Sequence, residues 1–391
     1  MSHPDLIIVG AGPAGLALAT ALARDGTRSL VLEQQPQAAI EQPAEDGRDI
    51  ALTHRSRRIL EALGIWQRLP AQEIAPLVEA RVSNGGSPLV LPFDARSDGH
   101  EALGWLVPNQ RLREAACAAA IEAEGVELRT GVRVTAFERG AGQATLRLEA
   151  GAALQAPLVV AADSRHSTLR RMAGIGAQMH DFGRTAIVCR VGHERAHDGV
   201  ALECFGHGHT LALLPMAGRV SSAVVTLDSD RAPEWLALSD AEFAARIEQR
   251  ARGRLGAIAT AGRRHSYPLV GVYAHRFASE RCALVGDAAV GMHPVTAHGY
   301  NFGLYGVETL ARELAAVRSA ARPLAAALQA YASEHRRATL PIYLGTNAIV
   351  TLYTDDRAPA RLLRGAVLRV ARRLPPLRTL ITRQLTGAAR T

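Results

Sequence analysis

The sequence predicts an α/β chain: a nucleotide-type strand–helix–strand unit at its start, a β-rich segment set into it, and a helical tail. Three stretches predict this. LIIVGAGPAG, residues 6–15, puts glycines between an apolar strand and an Ala/Leu-rich helix. Residues 184–227 hold short strands: TAIVCRV, HTLALLP and RVSSAVVTL. VGDAAVGMHPVTAHGYNFGLYG, residues 285–306, then returns to strand–turn–helix, with an acid where the strand ends and glycines where the helix begins.

Taken in order, residues 6–9 form a strand, 13–24 a helix ended by Gly26, and 29–32 a second strand. Residues 54–64 have helical spacing, with Leu60 and Leu63 on one face and Gly64 as the stop. A helix over 111–124 closes at Gly125 and leads into a strand over 126–129. From 130 to 160 the pattern alternates in short strands (VRVTAF, ATLRLEA, LVVAA). HTLALLP and RVSSAVVTL form a hairpin whose turn is marked by Pro215 and Gly218, and a polar helix follows at 239–253.

The 391 residues are 48% hydrophobic and 21% charged, which suits a globular protein with a sizeable core. Aromatics at 4% argue against a base-stacking surface, and no nucleic-acid partner is expected. The +8 net charge admits anionic cofactors and anionic lipid alike. Cys117, Cys189, Cys204 and Cys282 are scattered without a CxxC pair, and His207-Gly208-His209 lacks a third ligand, so neither disulfide nor metal is expected. The start has no basic n-region, and no segment is long enough to span a bilayer. These features predict a cytoplasmic chain, with peripheral contact to the inner membrane open through its tail.

In GAGPAG, Gly10 permits the tight turn, Gly12 lets a pyrophosphate approach, and Gly15 lets the helix pack on the sheet. The helix start offers unpaired N–H groups and a positive dipole end to phosphate. Glu33 ends the second strand, 18 residues beyond Gly15, where an acid can accept from both ribose hydroxyls. Two further acids follow apolar strands: Asp163 in LVVAADSRHSTLRR and Asp287 in LVGDAAV. Strand ends so far apart in sequence suit one long extended cofactor. A helix starting near His298 would direct its N–H groups at the pyrimidine edge of a flavin, where reduced flavin carries negative charge.

GAGPAG (10–15), AADSRHSTLRR (161–171) and LVGDAAVGMHPVTAHGYNFGL (284–304), in this order, resemble the FAD-dependent aromatic hydroxylases of the para-hydroxybenzoate hydroxylase type. Within them the chain is most similar to the ubiquinone-biosynthesis hydroxylases, and TAHGYNFGL resembles a UbiM-like 5-demethoxyubiquinol hydroxylase branch. The resemblance implies a Rossmann-like FAD-binding domain with an inserted β-rich substrate domain and a C-terminal helical segment. The expected division is 1–75, 105–175 and 265–345 for FAD, 76–104 and 176–264 for substrate, and 346–391 for the tail.

The resemblance also implies site residues. Gly10, Gly12, Ala14, Gly15, Glu33, Arg48, Asn109, Asp163, Asp287, Pro294, Gly299, Tyr300 and Asn301 are expected against FAD. Pro294, His298 and Tyr300 are expected beside the reacting ring, with His293 near them. Tyr267-Pro268-Leu269 resembles the short segment preceding the third motif. NAD(P)H is implied as a transient reductant, since no second GxGxxG follows a strand. O₂ is the co-substrate: a flavin C4a-hydroperoxide passes OH to an electron-rich ring, here of a polyprenylated phenol or quinol. An unrelated aromatic substrate, a geranylgeranyl-reductase-like activity and a non-catalytic flavoprotein subunit stay open as alternatives.

The chain departs from the family pattern at four places. Ser164 replaces the glycine of Asp-Gly, Val290 the histidine of DAAH, and His298 the glutamine of AGQG, while Tyr300-Asn301-Phe302 replaces Leu-Asn-Leu. These changes bear on substrate more than on FAD. The tail between 357 and 387 carries eight arginines and no acid, with Leu362, Leu363, Ala366, Val367 and Val370 on one helical face. A basic amphipathic helix of this kind suits anionic lipid, a biosynthetic partner or its own domain.

Overall fold

A computed structural model describes residues 4–84, 90–206, 209–293 and 298–354 of the chain. The core of the first unit is a six-stranded sheet in the order Ala278–Ser279, Cys282–Leu284, Val159–Ala161, Leu6–Val9, Ser29–Leu32, Val126–Arg129. All neighbours are parallel except the first pair. Ile7, Ile8, Val31, Val160 and Ala283 are fully buried, as strands covered on both faces require. Parallel pairing brings Val9, Ala161 and Leu284 into one row. The segments that follow them, bearing Gly10, Asp163 and Asp287, therefore leave the same sheet edge. Glu33 leaves it as well, beyond Leu32, which pairs with Val9.

The glycine turn feeds the helix Pro13–Ala23, where Leu16, Leu18 and Leu22 are buried. The helix expected over 111–124 begins earlier, at Asn109, and runs to Glu122. The alternating stretch after 130 supplies a small antiparallel sheet, Val134–Arg139, Ala144–Leu148 and Ala153–Ala156. Its buried Ala144, Leu146 and Ala156 join the main core.

The second unit is built on a large sheet whose path runs Val290–Gly291, His265–Ala274, Ala177–His193, Val220–Asp228, His209–Pro215, Val200–Phe205, Glu79–Asn84, Val90–Asp94. The hairpin of His209–Pro215 with Val220–Asp228 turns at Gly218, whose φ of +74° favours glycine. The large sheet draws on residues either side of 265, because His265–Ala274 pairs along much of Ala177–His193. One face packs Ile187, Leu211, Leu213 and Val225 against Trp235, Phe243 and Ile247 of the helices Ala232–Leu236 and Asp240–Ala251. A capping box, Ser239 with Glu242, starts the second of these helices. The other face turns toward a three-stranded sheet, Asp49–Leu52, Gly104–Pro108 and Ala75–Leu77, where Leu214 packs with Ala51, Ala75 and Leu106.

Two long helices, Gly299–Arg318 and Leu324–Thr354, complete the chain as described. They approach closely at Gly306, where an added Cβ would stand 2.9 Å from Nε2 of buried His335. The second helix runs through residue 346, so the tail expected from there begins inside a helix anchored on the first unit. Its arginine-rich part, with Pro294 and the pair His207-Gly208, lies outside the described residues. Among the described residues no helix is long and apolar enough to cross a membrane.

Candidate active site

The glycine turn is shaped by three different constraints. Gly10 has φ +111°, and a Cβ there would run into the Ala162 carbonyl. A Cβ on Gly15 would strike the Gly10 carbonyl and lie 3.1 Å from the Ala162 methyl. Gly12 differs, since a Cβ there would meet nothing within 4 Å among the described residues. Two glycines thus serve close packing, while the third borders open space at a helix start, with Pro13 in the first turn. Glu33 closes the turn from the side: Oε2 accepts from the Ala11 N–H at 2.8 Å, and Oε1 from the Gln35 N–H at 2.9 Å. A carboxylate has about four acceptor positions, so capacity remains for a ligand hydroxyl.

Asp163 is engaged within its own segment. Its Oδ1 accepts from Ser167 Oγ at 2.5 Å, and its Oδ2 accepts from the N–H groups of Thr168 and Leu169 at 2.8 and 3.1 Å. The acid fixes the start of the short helix Thr168–Met172. Ser164, at φ +128°, occupies backbone space that suits the glycine of the usual motif. Arg165 leaves this turn, donating to the Val270 carbonyl at 3.2 Å and to Asp287 Oδ2 at 3.0 Å. Arg170, buried and depressed in pKa by burial, donates to the Ala288 carbonyl at 2.9 Å. Two arginines therefore join the second motif to the third.

The third motif converges on the first. Gly286 has φ +59°, and its Cβ would lie 3.0 Å from the Ala14 methyl. Gly303 packs against the same pair, with its Cβ position 3.5 Å from Gly286 Cα and 3.7 Å from Ala14. The starts of Pro13–Ala23 and Gly299–Arg318 thus meet across small residues. At Gly299, as at Gly12, an added Cβ would meet none of the described residues within 4 Å. Buried His298 precedes the helix and lies against Phe302, ring centroids 5.4 Å apart. Buried His293, held down to about 4 by burial, sits edge-on to Phe182 of the large sheet at 4.8 Å. The Tyr300 hydroxyl is enclosed without a hydrogen-bond partner among the described residues, and burial raises its pKa. Asn301 is used structurally: Oδ1 accepts from the Thr53 N–H at 3.0 Å, and Nδ2 donates to the Ala51 carbonyl at 2.8 Å.

Asp46, which the sequence did not single out, brings three expected residues together. Arg48 donates to its carboxylate at 2.6 Å, Asn109 Nδ2 at 2.7 Å, and the Tyr267 hydroxyl to its carbonyl at 2.5 Å. The Arg48 guanidinium also lies 5.4 Å from the Tyr267 ring centroid. Burial pushes the Asp46 carboxyl up, but the charge and hydrogen bonds of Arg48 and Asn109 outweigh it and leave it below the usual range. Nearby, the fully buried Asp49 side chain pairs with Arg190 at 3.1 Å across the seam to the large sheet. Burial raises Asp49 despite that arginine. Asp46 precedes Gly47, whose φ is +67°, but a lone Asp-Gly turn does not tell what either acid binds; their spatial neighbours do.

Two open helix starts, an acid at the ribose position and a paired acid on the third turn fit a dinucleotide lying along one sheet edge. The FAD binding domain family matches residues 4–340, and the chain belongs to that family. It is an FAD-dependent monooxygenase. The ubiquinone hydroxylase UbiM of Neisseria meningitidis is 42% identical, covering 98% of this chain and 85% of that protein. The ubiquinone hydroxylase UbiL of Rhodospirillum rubrum is 39% identical over 98% and 89%. The 3-demethoxyubiquinol 3-hydroxylase of Escherichia coli is 27% identical over 94% and 95%. Among solved structures, p-nitrophenol 4-monooxygenase PnpA of Pseudomonas putida matches with TM-score 0.78 at 20% identity, covering 99% of both chains. At that identity the likeness speaks for the fold alone.

Proposed function

We propose that the chain hydroxylates the aromatic ring of a polyprenylated phenol or quinol in ubiquinone biosynthesis. The observation that carries this is the 42% identity to UbiM across 98% of the chain. FAD, once bound and reduced, would supply the two electrons that activate O₂, and O₂ the oxygen atom. In this reading NAD(P)H is the transient reductant.

The residues present suit the parts assigned to them. Gly10, Gly12, Ala14 and Gly15 form the pyrophosphate turn, with Glu33 at the ribose. Asp163 shapes the second turn, and Asp287, steadied by Arg165, faces the ribityl chain. Arg48 and Asn109, held by Asp46, present a cation and an amide to the cofactor's other side. Gly299, Tyr300 and Asn301 bring the helix start to the flavin ring, where the dipole favours negative charge. His298 and Tyr300 border the reacting edge and exclude water; the part assigned to Pro294 falls outside the described residues. The division into FAD-binding and substrate portions belongs to this proposal, as does peripheral membrane or complex contact through residues 357–391.

The test is NAD(P)H oxidation by purified holoprotein with a short-chain polyprenylphenol under labelled O₂. Stimulated oxidation with label in the ring is expected. Prenyl saturation without oxygen uptake, or no product of any kind, overturns the reading. Deletion of the gene should cause an under-hydroxylated quinone precursor to accumulate, as read by mass spectrometry.

A further inference from the structure

The face of the large sheet turned away from the helices carries one acid, Glu203, that no described residue satisfies. Cross-strand register places Leu91, Val82, Glu203, Ala212, Val224, Val188 and His265 in a single row. By alternation these side chains share a face, opposite to Leu202, Leu211 and Val225, which pack on the helices. The row faces the first unit. At its far end the His265 ring crowds Gly47, and one row over Arg190 reaches Asp49.

Val82 and Ala212, the neighbours of Glu203 along the row, are only partly buried, and so is Glu203 itself. Yet burial acts on the Glu203 carboxyl strongly enough to push it up to about 8, with no charge opposing it. Glu203 is thus partly accessible yet strongly desolvated, on the side of the sheet turned away from the helices. Among the described residues none hydrogen-bonds or ion-pairs with Glu203. An unpaired acid set among alanine and valine is costly unless something else completes it.

We propose that Glu203 binds the ring hydroxyl of the substrate, fixing the ring on an apolar sheet face that also receives its prenyl chain. This deepens the reading of a phenolic substrate and rests on it. A neutral carboxyl both donates and accepts, so it can engage a ring oxygen and its proton together. A prenylated phenol is apolar except at its ring oxygens, which complements a row where Glu203 stands among Leu91, Val82, Ala212, Val224 and Val188.

The experiment compares binding of 2-geranylphenol and its methyl ether to FAD-loaded protein, read as perturbation of the flavin absorbance. Wild type is expected to prefer the phenol by about tenfold, the effect of one satisfied against one unsatisfied buried group. Glu203→Met should bring the two within about twofold while keeping its flavin. Glu203→Gln, which retains a donor and an acceptor, should preserve most of the preference. Thermal stability of Glu203→Met should equal or exceed wild type, because an unpaired buried acid has gone; a marked fall points to a structural partner and overturns the assignment. A preference that survives in Glu203→Met, or that wild type lacks, overturns it too while leaving the phenol reading intact. Wild type that binds neither compound sinks the phenol reading, and this one with it.

Discussion

Arg165 and Asp287 meet as an ion pair, Nη2 to Oδ2 at 3.0 Å, although 122 residues separate them. Each is about one-third exposed, so the pair adds about 1 kcal/mol or less to folding. Its value lies in orienting Asp287 where the cofactor's sugar chain is expected. Arg165→Met should therefore shift the melting temperature little and weaken FAD retention about tenfold. FAD titration of the apoprotein, followed by flavin fluorescence, decides; unchanged affinity counts against Asp287 as a ligand contact.

The three glycines of the first turn should behave differently when each gains a methyl. Gly15→Ala places a methyl into the Gly10 carbonyl, so loss of several kcal/mol or of soluble protein is expected. Gly12→Ala meets no atom of the described residues within 4 Å, so the apoprotein should melt as wild type does. It should nonetheless fail to hold FAD, because the methyl occupies the pyrophosphate position. Colourless, well-folded Gly12→Ala protein is the predicted result; full flavin content would show that the turn does not carry the phosphate.

Ser164 holds a backbone conformation suited to glycine. Ser164→Gly should relieve about 1 kcal/mol of strain. For a chain of this length that raises the melting temperature by about 1 °C, read by calorimetry. A clear fall would show that the hydroxyl, which accepts from the His166 N–H at 3.3 Å, outweighs the strain.

Stability should depend on pH through two buried histidines. Burial, with Arg55 adding to it, holds His335 down to about 3, and burial holds His293 to about 4. An unfolded histidine titrates near 6.5. Between these values the unfolded chain binds protons that the folded one refuses, so stability is complete above about 6.5 and falls as pH drops. The slope is up to about 1.4 kcal/mol per pH unit for each residue. Urea midpoints from pH 7.5 to 4.5 should decline, and His335→Phe should flatten the decline. His335 has no hydrogen-bond partner on either ring nitrogen among the described residues, so its removal breaks none.

Much of the first unit was legible because its signals are local. Gly10, Gly12 and Gly15 sit between a buried strand and a helix, and a turn of four residues needs no distant partner to be read. Asp163 and Asp287 were legible for the same reason, as acids after short apolar runs. What they touch was not legible: Asp163 caps its own helix, while Asp287 pairs with an arginine from another motif. Asp46-Gly47 reads locally as a turn and no more; the role of Asp46 exists only where Arg48, Asn109 and Tyr267 come together.

The sequence by itself determined the order of the elements, the nucleotide turn and the family-like third motif, since propensity, periodicity and glycine placement act within a few residues. Only the tertiary structure decided that Glu203 shares a row with Ala212 and Val224 on the side away from the helices. Which face a strand buries, and which acid is left unpaired there, depends on cross-strand register. Register is fixed by pairing between strands distant in the chain.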